Sequence, residues 1–94
     1  MKALYFLKAN IKFEGEYLNR LRNGKGKEYS NSKLLFEGEY LNGLRNGKGK
    51  EYDDYDGQLI FEGEYLNGLR NGKGKEYYDN GALKTKNLLI IDLV

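Results

Sequence analysis

The chain has 94 residues, 39% of them hydrophobic and 13 of them Gly, with 16 Lys and Arg against 14 Asp and Glu. That length holds one domain at most, and so much Gly argues against a conventional packed interior, while 14% aromatic residues argue against disorder. A formal charge of +2 with no Cys and no His excludes a nucleic-acid-binding field, disulfides, thiolate chemistry, the commonest general base and nearly every zinc site, so neither metal nor cofactor is expected.

Residues 1–12 open the chain with an apolar run too short for a secretory signal and without a small-residue cleavage site. Counted back one period, Leu4-Tyr5-Phe6 aligns with Lys27-Glu28-Tyr29, so this segment reads as a partial N-terminal repeat that supplies the second strand of a truncated hairpin. From Phe13 a unit recurs. FEGEYLNGLRNGKGKEY stands unchanged at Phe36–Tyr52 and Phe61–Tyr77, and at Phe13–Tyr29 with Arg20 in place of Gly43 and Gly68. Full repeats therefore occupy 13–35, 36–60 and 61–84, at intervals of 23 and 25 residues, a period that signals a stacked array of supersecondary units. The spacers Ser30–Leu35 and Asp53–Ile60 differ in length, which marks surface loops.

Within a unit Phe36, Gly38 and Tyr40 alternate with Glu37, Glu39 and Leu41, the period of a strand. Gly38, Gly43, Gly47 and Gly49 are too dense for a helix. Lys48–Tyr52 is a second strand, and the two Asn-Gly pairs between the strands suit the positive φ angles of a tight turn. Arg20 weakens that signal in the first unit, where a left-handed residue is not clearly required. Asp79-Asn80-Gly81 is a further turn between units. Hairpin follows hairpin, so equivalent strands sit about 10 Å apart, and rings such as Phe36 and Tyr40 can cover the hollows left by Gly38 and Gly49. Tyr52 is out of step with Gly47 and Gly49 unless a bulge intervenes, and its face stays open. The last segment, 85–94, departs from the unit. Its apolar residues Leu88, Leu89, Ile90, Ile91, Leu93 and Val94 are too few to span a bilayer and form a candidate self-association strand, a cap on their own sheet, or a loose end.

The motif Phe36-Glu37-Gly38-Glu39-Tyr40, Asn42-Gly43, Arg45 and Asn46-Gly47-Lys48-Gly49, repeated in full at Phe61–Gly74 and with one change at Phe13–Gly26, resembles the MORN repeat family (membrane occupation and recognition nexus) in its short-repeat variant. Tyr40 and its equivalents stand where that family often has Trp, and the C-terminal tail matches nothing in the motif. The resemblance implies an all-β fold: an elongated, single-layer, twisted antiparallel sheet of tandem β-hairpins, seven or eight strands in one repeat domain over 1–94. It also implies repeats that are not catalytic and act as scaffold or protein-interaction modules, with lipid binding in some members and an antitoxin-like label on some bacterial relatives.

Three residue sets are candidates for contact with partners. Phe13, Tyr17, Phe36, Tyr40, Phe61 and Tyr65 form a candidate groove for a protein partner, although ring packing over Gly accounts for the same residues. Arg22, Lys25, Lys27, Arg45, Lys48, Lys50, Arg70, Lys73 and Lys75 would stack into a candidate ridge for an anionic membrane surface, although solvation and edge masking account for them as well. The tail is a candidate homodimer contact. Glu37 and Glu39 read as partners of cross-strand Lys48 and Lys50 rather than an acid–base pair, and the loop Gly43–Gly49 lacks the spacing of a phosphate loop. The expectation is a non-enzymatic cytoplasmic scaffold, membrane-peripheral if the ridge binds lipid.

Overall fold

The computed structural model describes residues 2–8, 11–78 and 80–91. They form eight strands: β1 (Lys2–Lys8), β2 (Ile11–Leu18), β3 (Leu21–Ser30), β4 (Lys33–Leu41), β5 (Leu44–Tyr52), β6 (Leu59–Leu66), β7 (Leu69–Tyr77) and β8 (Leu83–Ile90). The strands lie in sequence order in one open antiparallel sheet, with no helix among the described residues. The spacers are narrower than their variable length implied. Lys33–Leu35 extend β4, and Leu59 and Ile60 begin β6. The principal extents are 36 × 30 × 21 Å. The shortest is roughly twice the ~10 Å that one flat layer occupies, because strand twist cups the sheet.

Two-residue turns close the hairpins of the repeats. Asn42 and Gly43 have φ of 51° and 88°, Asn67 and Gly68 of 50° and 90°, the left-handed pair of a type I′ turn. The first hairpin uses the same turn: Arg20 sits at φ 68°, so a left-handed residue is required there after all and Arg carries the strain. The amide of Gly43 donates to the Arg22 carbonyl of the preceding unit, as that of Gly68 does to Arg45, both at 2.9 Å. These bonds tie each hairpin tip to its neighbour.

The register explains why so little apolar mass is enough. Gly15, Gly26, Gly38, Gly49, Gly63 and Gly74 face one another in an unbroken row across six strands. A Cβ on Gly49 would lie 2.5 Å from Phe36 Cζ and 3.0 Å from Tyr65 Cε1, so rings from both flanking strands occupy the space above this row. Phe13, Phe36 and Phe61 are fully buried, and Tyr40 and Tyr65 nearly so. Phe36 stands edge-on to Tyr40 of its own unit at 5.7 Å and to Tyr65 of the next at 5.1 Å, and Phe13 meets Tyr40 at 5.0 Å. The core is thus a zigzag of T-shaped rings laid over glycine, each pair adding about 1 kcal/mol beyond the area it buries.

Inside each repeat's hairpin one strand carries two extra residues. Gly38 pairs with Gly49 while Tyr40 pairs with Arg45, so Glu39 alone spans Asn46, Gly47 and Lys48. Gly47 takes φ 102° at this bulge, and the Glu39 carboxylate accepts the freed Lys48 amide at 2.7 Å. Two extra residues preserve parity. Arg45, Gly49 and Glu51 therefore share the aromatic face, while Lys48, Lys50 and Tyr52 take the other. The Tyr52 hydroxyl confirms its side by donating to Glu37 at 3.0 Å.

Candidate functional site

The aromatic face is closed by charge. Arg45 lies over the Phe36 ring at 4.0 Å, Arg70 over Phe61 at 4.1 Å and Arg22 over Phe13 at 4.2 Å. Glu28, from the first unit, holds Arg45 of the second by a fork, with Arg45 Nε donating to Oε2 at 3.0 Å and Nη2 to Oε1 at 3.1 Å. Glu28 also accepts the Tyr40 hydroxyl. Glu51 repeats the clamp on Arg70, at 2.9 and 2.8 Å, and on the Tyr65 hydroxyl. Burial works against ionisation of Glu28, but the hydrogen bonds from Arg45 and Tyr40 outweigh it and hold the carboxyl below its usual range; Glu51 follows the same pattern with Arg70 and Tyr65. Burial and the bond to the carboxylate both push Tyr40 and Tyr65 well up. Each of these perturbed groups is bonded across the junction between one repeat and the next.

Of the six rings expected to line a groove, Phe13, Phe36, Tyr40, Phe61 and Tyr65 are accordingly a buried core under a lid of Arg, and Tyr17 packs half-buried at its end. The nine cations expected to stack as one ridge are divided. Arg22, Arg45 and Arg70 cover the rings, while Lys25, Lys27, Lys48, Lys50, Lys73 and Lys75 line the opposite face. That face is cupped into a trough of about 1170 Å³ that crosses the sheet from β2 to β8. Backbone of the glycine row forms its floor. On one side runs the row Glu14, Lys27, Glu37, Lys50, Glu62, Lys75, each opposite the next across neighbouring strands. On the other runs Glu16, Lys25, Glu39, Lys48, Glu64, Lys73. Each strand from β2 to β7 therefore carries one sign on both walls, and the sign alternates from strand to strand. Lys50 Nζ lies 3.8 Å from Glu62 Oε2 with both side chains well exposed, a pair of small worth.

Two further rows flank the walls. Leu18 pairs with Leu21, Leu41 with Leu44 and Leu66 with Leu69 at the hairpin tips, and all six are exposed. Along the other rim lie Tyr29, Tyr52 and Tyr77. Lys12 Nζ sits 5.1 Å above the Tyr29 ring, and Tyr77 donates to Glu62 at 3.5 Å. Burial and then the hydrogen bond to Glu37 push Tyr52 up to about 12. Sequence reasoning missed both rows, although Leu on each side of every Asn-Gly turn was a signal for the first.

The tail adds its own strand to the sheet. Ile90 stands opposite Gly72, where Tyr40 stands opposite Gly24, and Leu88 stands opposite Gly74; both pack on the core. Leu89 and Ile91 are exposed. Leu93 and Val94 lie outside the described residues. β8 thus takes the place of a fourth unit's first strand, with aliphatic groups where the ring and the glycine would be.

No curated protein matches the chain. The MORN repeat family model matches at residues 13–33, 36–57 and 61–83. Those three matches cover most of the chain, each containing the ring, glycine and bulge positions described above, and the chain belongs to the MORN repeat family.

Proposed function

We propose that the protein is a non-catalytic scaffold that holds a segment of a protein partner in the trough. The observation that carries this reading is the contrast between the faces. Every unit seals its aromatic face with Arg and leaves the other face open, cupped and rimmed by exposed Leu. Exposed apolar rows beside polar walls are the composition of a docking surface. MORN repeats are generally associated with scaffold and with protein or membrane interaction, which agrees with this reading.

A membrane-surface role draws its support from the Lys rows, yet β3 and β5 each lie between two Glu strands, β7 borders one, and the trough walls carry six Glu and six Lys, so the face offers an anionic bilayer little net attraction. The test is photo-crosslinking in the native host, with benzoylphenylalanine at position 50 in the trough or at position 22 on the aromatic face. Reproducible adducts to one protein at position 50 and none at position 22 support the reading. Adducts confined to position 22 contradict it.

A further inference from the structure

The trough's charges have a spacing, and the spacing selects a guest. Neighbouring strands lie about 4.8 Å apart, so bands of like charge recur about every 9.6 Å along the trough. Residues i and i+2 of one strand, such as Lys48 and Lys50, are only about 6.7 Å apart at the backbone, so the two walls rise from a narrow floor. An α-helix, about 10–12 Å across with its side chains, is too broad to rest on a floor of that width. An extended chain is not. The floor amides are already paired in the sheet, so a guest cannot join as a strand from this side. Its own N–H and C=O groups must find Glu and Lys side chains or water. A polyproline II segment has an unpaired backbone, and its turn of three residues advances about 9.3 Å, close to one pair of bands. A β-extended guest repeats each side every ~6.7 Å and falls out of phase at the first step.

We propose that the trough binds an extended polypeptide in the polyproline II conformation that carries a basic residue toward one wall and an acidic residue toward the other, once in every three positions. The inference rests on the trough being the partner-binding face. The basic side chains meet the Glu bands of β2, β4 and β6, and the acidic ones meet the Lys bands of β3, β5 and β7. Three bands of each sign match three turns, and nine residues in this conformation span about 28 Å against about 24 Å from the first band to the last. A polyanion or polycation satisfies only every second strand and is repelled by the others, so it is not the guest.

The test uses the full chain and two end-blocked, fluorescein-labelled peptides of equal composition, (Pro-Lys-Glu)₃ and Lys-Glu-Lys-Glu-Lys-Glu-Pro-Pro-Pro, followed by fluorescence anisotropy. The first is expected to bind at least about tenfold more tightly at low salt, with the difference shrinking as screening grows. Lys48→Glu/Lys50→Glu, which reverses the central Lys band, is expected to abolish the preference. If circular dichroism shows that variant unfolded, Lys48→Gln/Lys50→Gln replaces it and is expected to reduce the preference severalfold. Equal affinities for the two peptides, or no saturable binding of either by about 1 mM, would overturn the proposal. If it fails while position 50 still crosslinks to a protein, the trough remains the docking face and only the three-residue period is lost.

Discussion

Glu28→Ala probes the joint between repeats. The substitution removes two charge-assisted bonds from Arg45 and one from the Tyr40 hydroxyl, and it frees Arg45 from its place over Phe36. Removing one partner from a fully buried ion pair costs about 3–5 kcal/mol. Here Glu28 and Arg45 keep 19% and 27% of their side-chain surface exposed, so water replaces part of what is lost and the expected cost is about 2 kcal/mol. Glu28→Gln retains an acceptor for Tyr40 and one for Arg45 but no charge, and about 1 kcal/mol is expected. Urea unfolding followed by circular dichroism measures both, with the m-value showing whether the chain still unfolds as one unit. A Glu28→Ala protein within about 0.5 kcal/mol of the parent would refute the clamp as an element that joins the repeats.

The remaining predictions concern strain, pH and the end of the sheet. Arg20→Gly relieves a left-handed Arg and is expected to stabilise by about 1 kcal/mol, raising Tm by about 4–8 °C in a thermal scan; an unchanged Tm would argue against strain at that turn. Glu28 and Glu51 ionise more easily folded than unfolded, so their contribution is present above the ordinary carboxylate range, near 4.5, and is lost as pH falls through the lower folded values. Stability should therefore fall below about pH 4.5 in the parent and less steeply in Glu28→Gln/Glu51→Gln, and parallel curves would count against the clamps. Leu88→Ala/Ile90→Ala strips the cap from the last unit and is expected to cost about 2 kcal/mol in urea; no loss would mean that β8 adds little to the fold.

The sequence was explicit about the fold because each rule acts three times. Period-two alternation at Phe36–Leu41, Asn-Gly at the turns and the density of Gly all point to hairpins, and identical copies require identical neighbours. The faces of the sheet were harder to read. Grouping Arg45 with Lys48 and Lys50 by charge merges residues that strand parity separates, since Arg45 and Gly49 are an even number of positions apart and Lys48 is not. Parity alone leaves the face of Arg45 open until the bulge is known to hold two extra residues rather than one. The role of Glu28 was hidden for another reason. Its partners, Tyr40 and Arg45, lie 12 and 17 residues ahead in the next unit, where within-repeat patterns do not reach. Arg20 shows the limit of propensity: a turn fixed by its flanking strands holds even a residue that dislikes it.

The glycine row carries the central claim, that a single layer stands because rings from neighbouring strands pack where side chains are absent. Its most direct measurement is the urea stability of Gly49→Ala beside Gly57→Ala. The new Cβ at position 49 meets the fully buried Phe36 ring at 2.5 Å and Tyr65 at 3.0 Å, whereas at position 57 it meets nothing within 4 Å and strains only a φ of 76°. Displacing Phe36 also disturbs Arg45 above it, so about 3 kcal/mol is expected for Gly49→Ala and about 1 kcal/mol for Gly57→Ala. Equal losses at the two positions, or a Gly49→Ala protein as stable as the parent, would contradict the account.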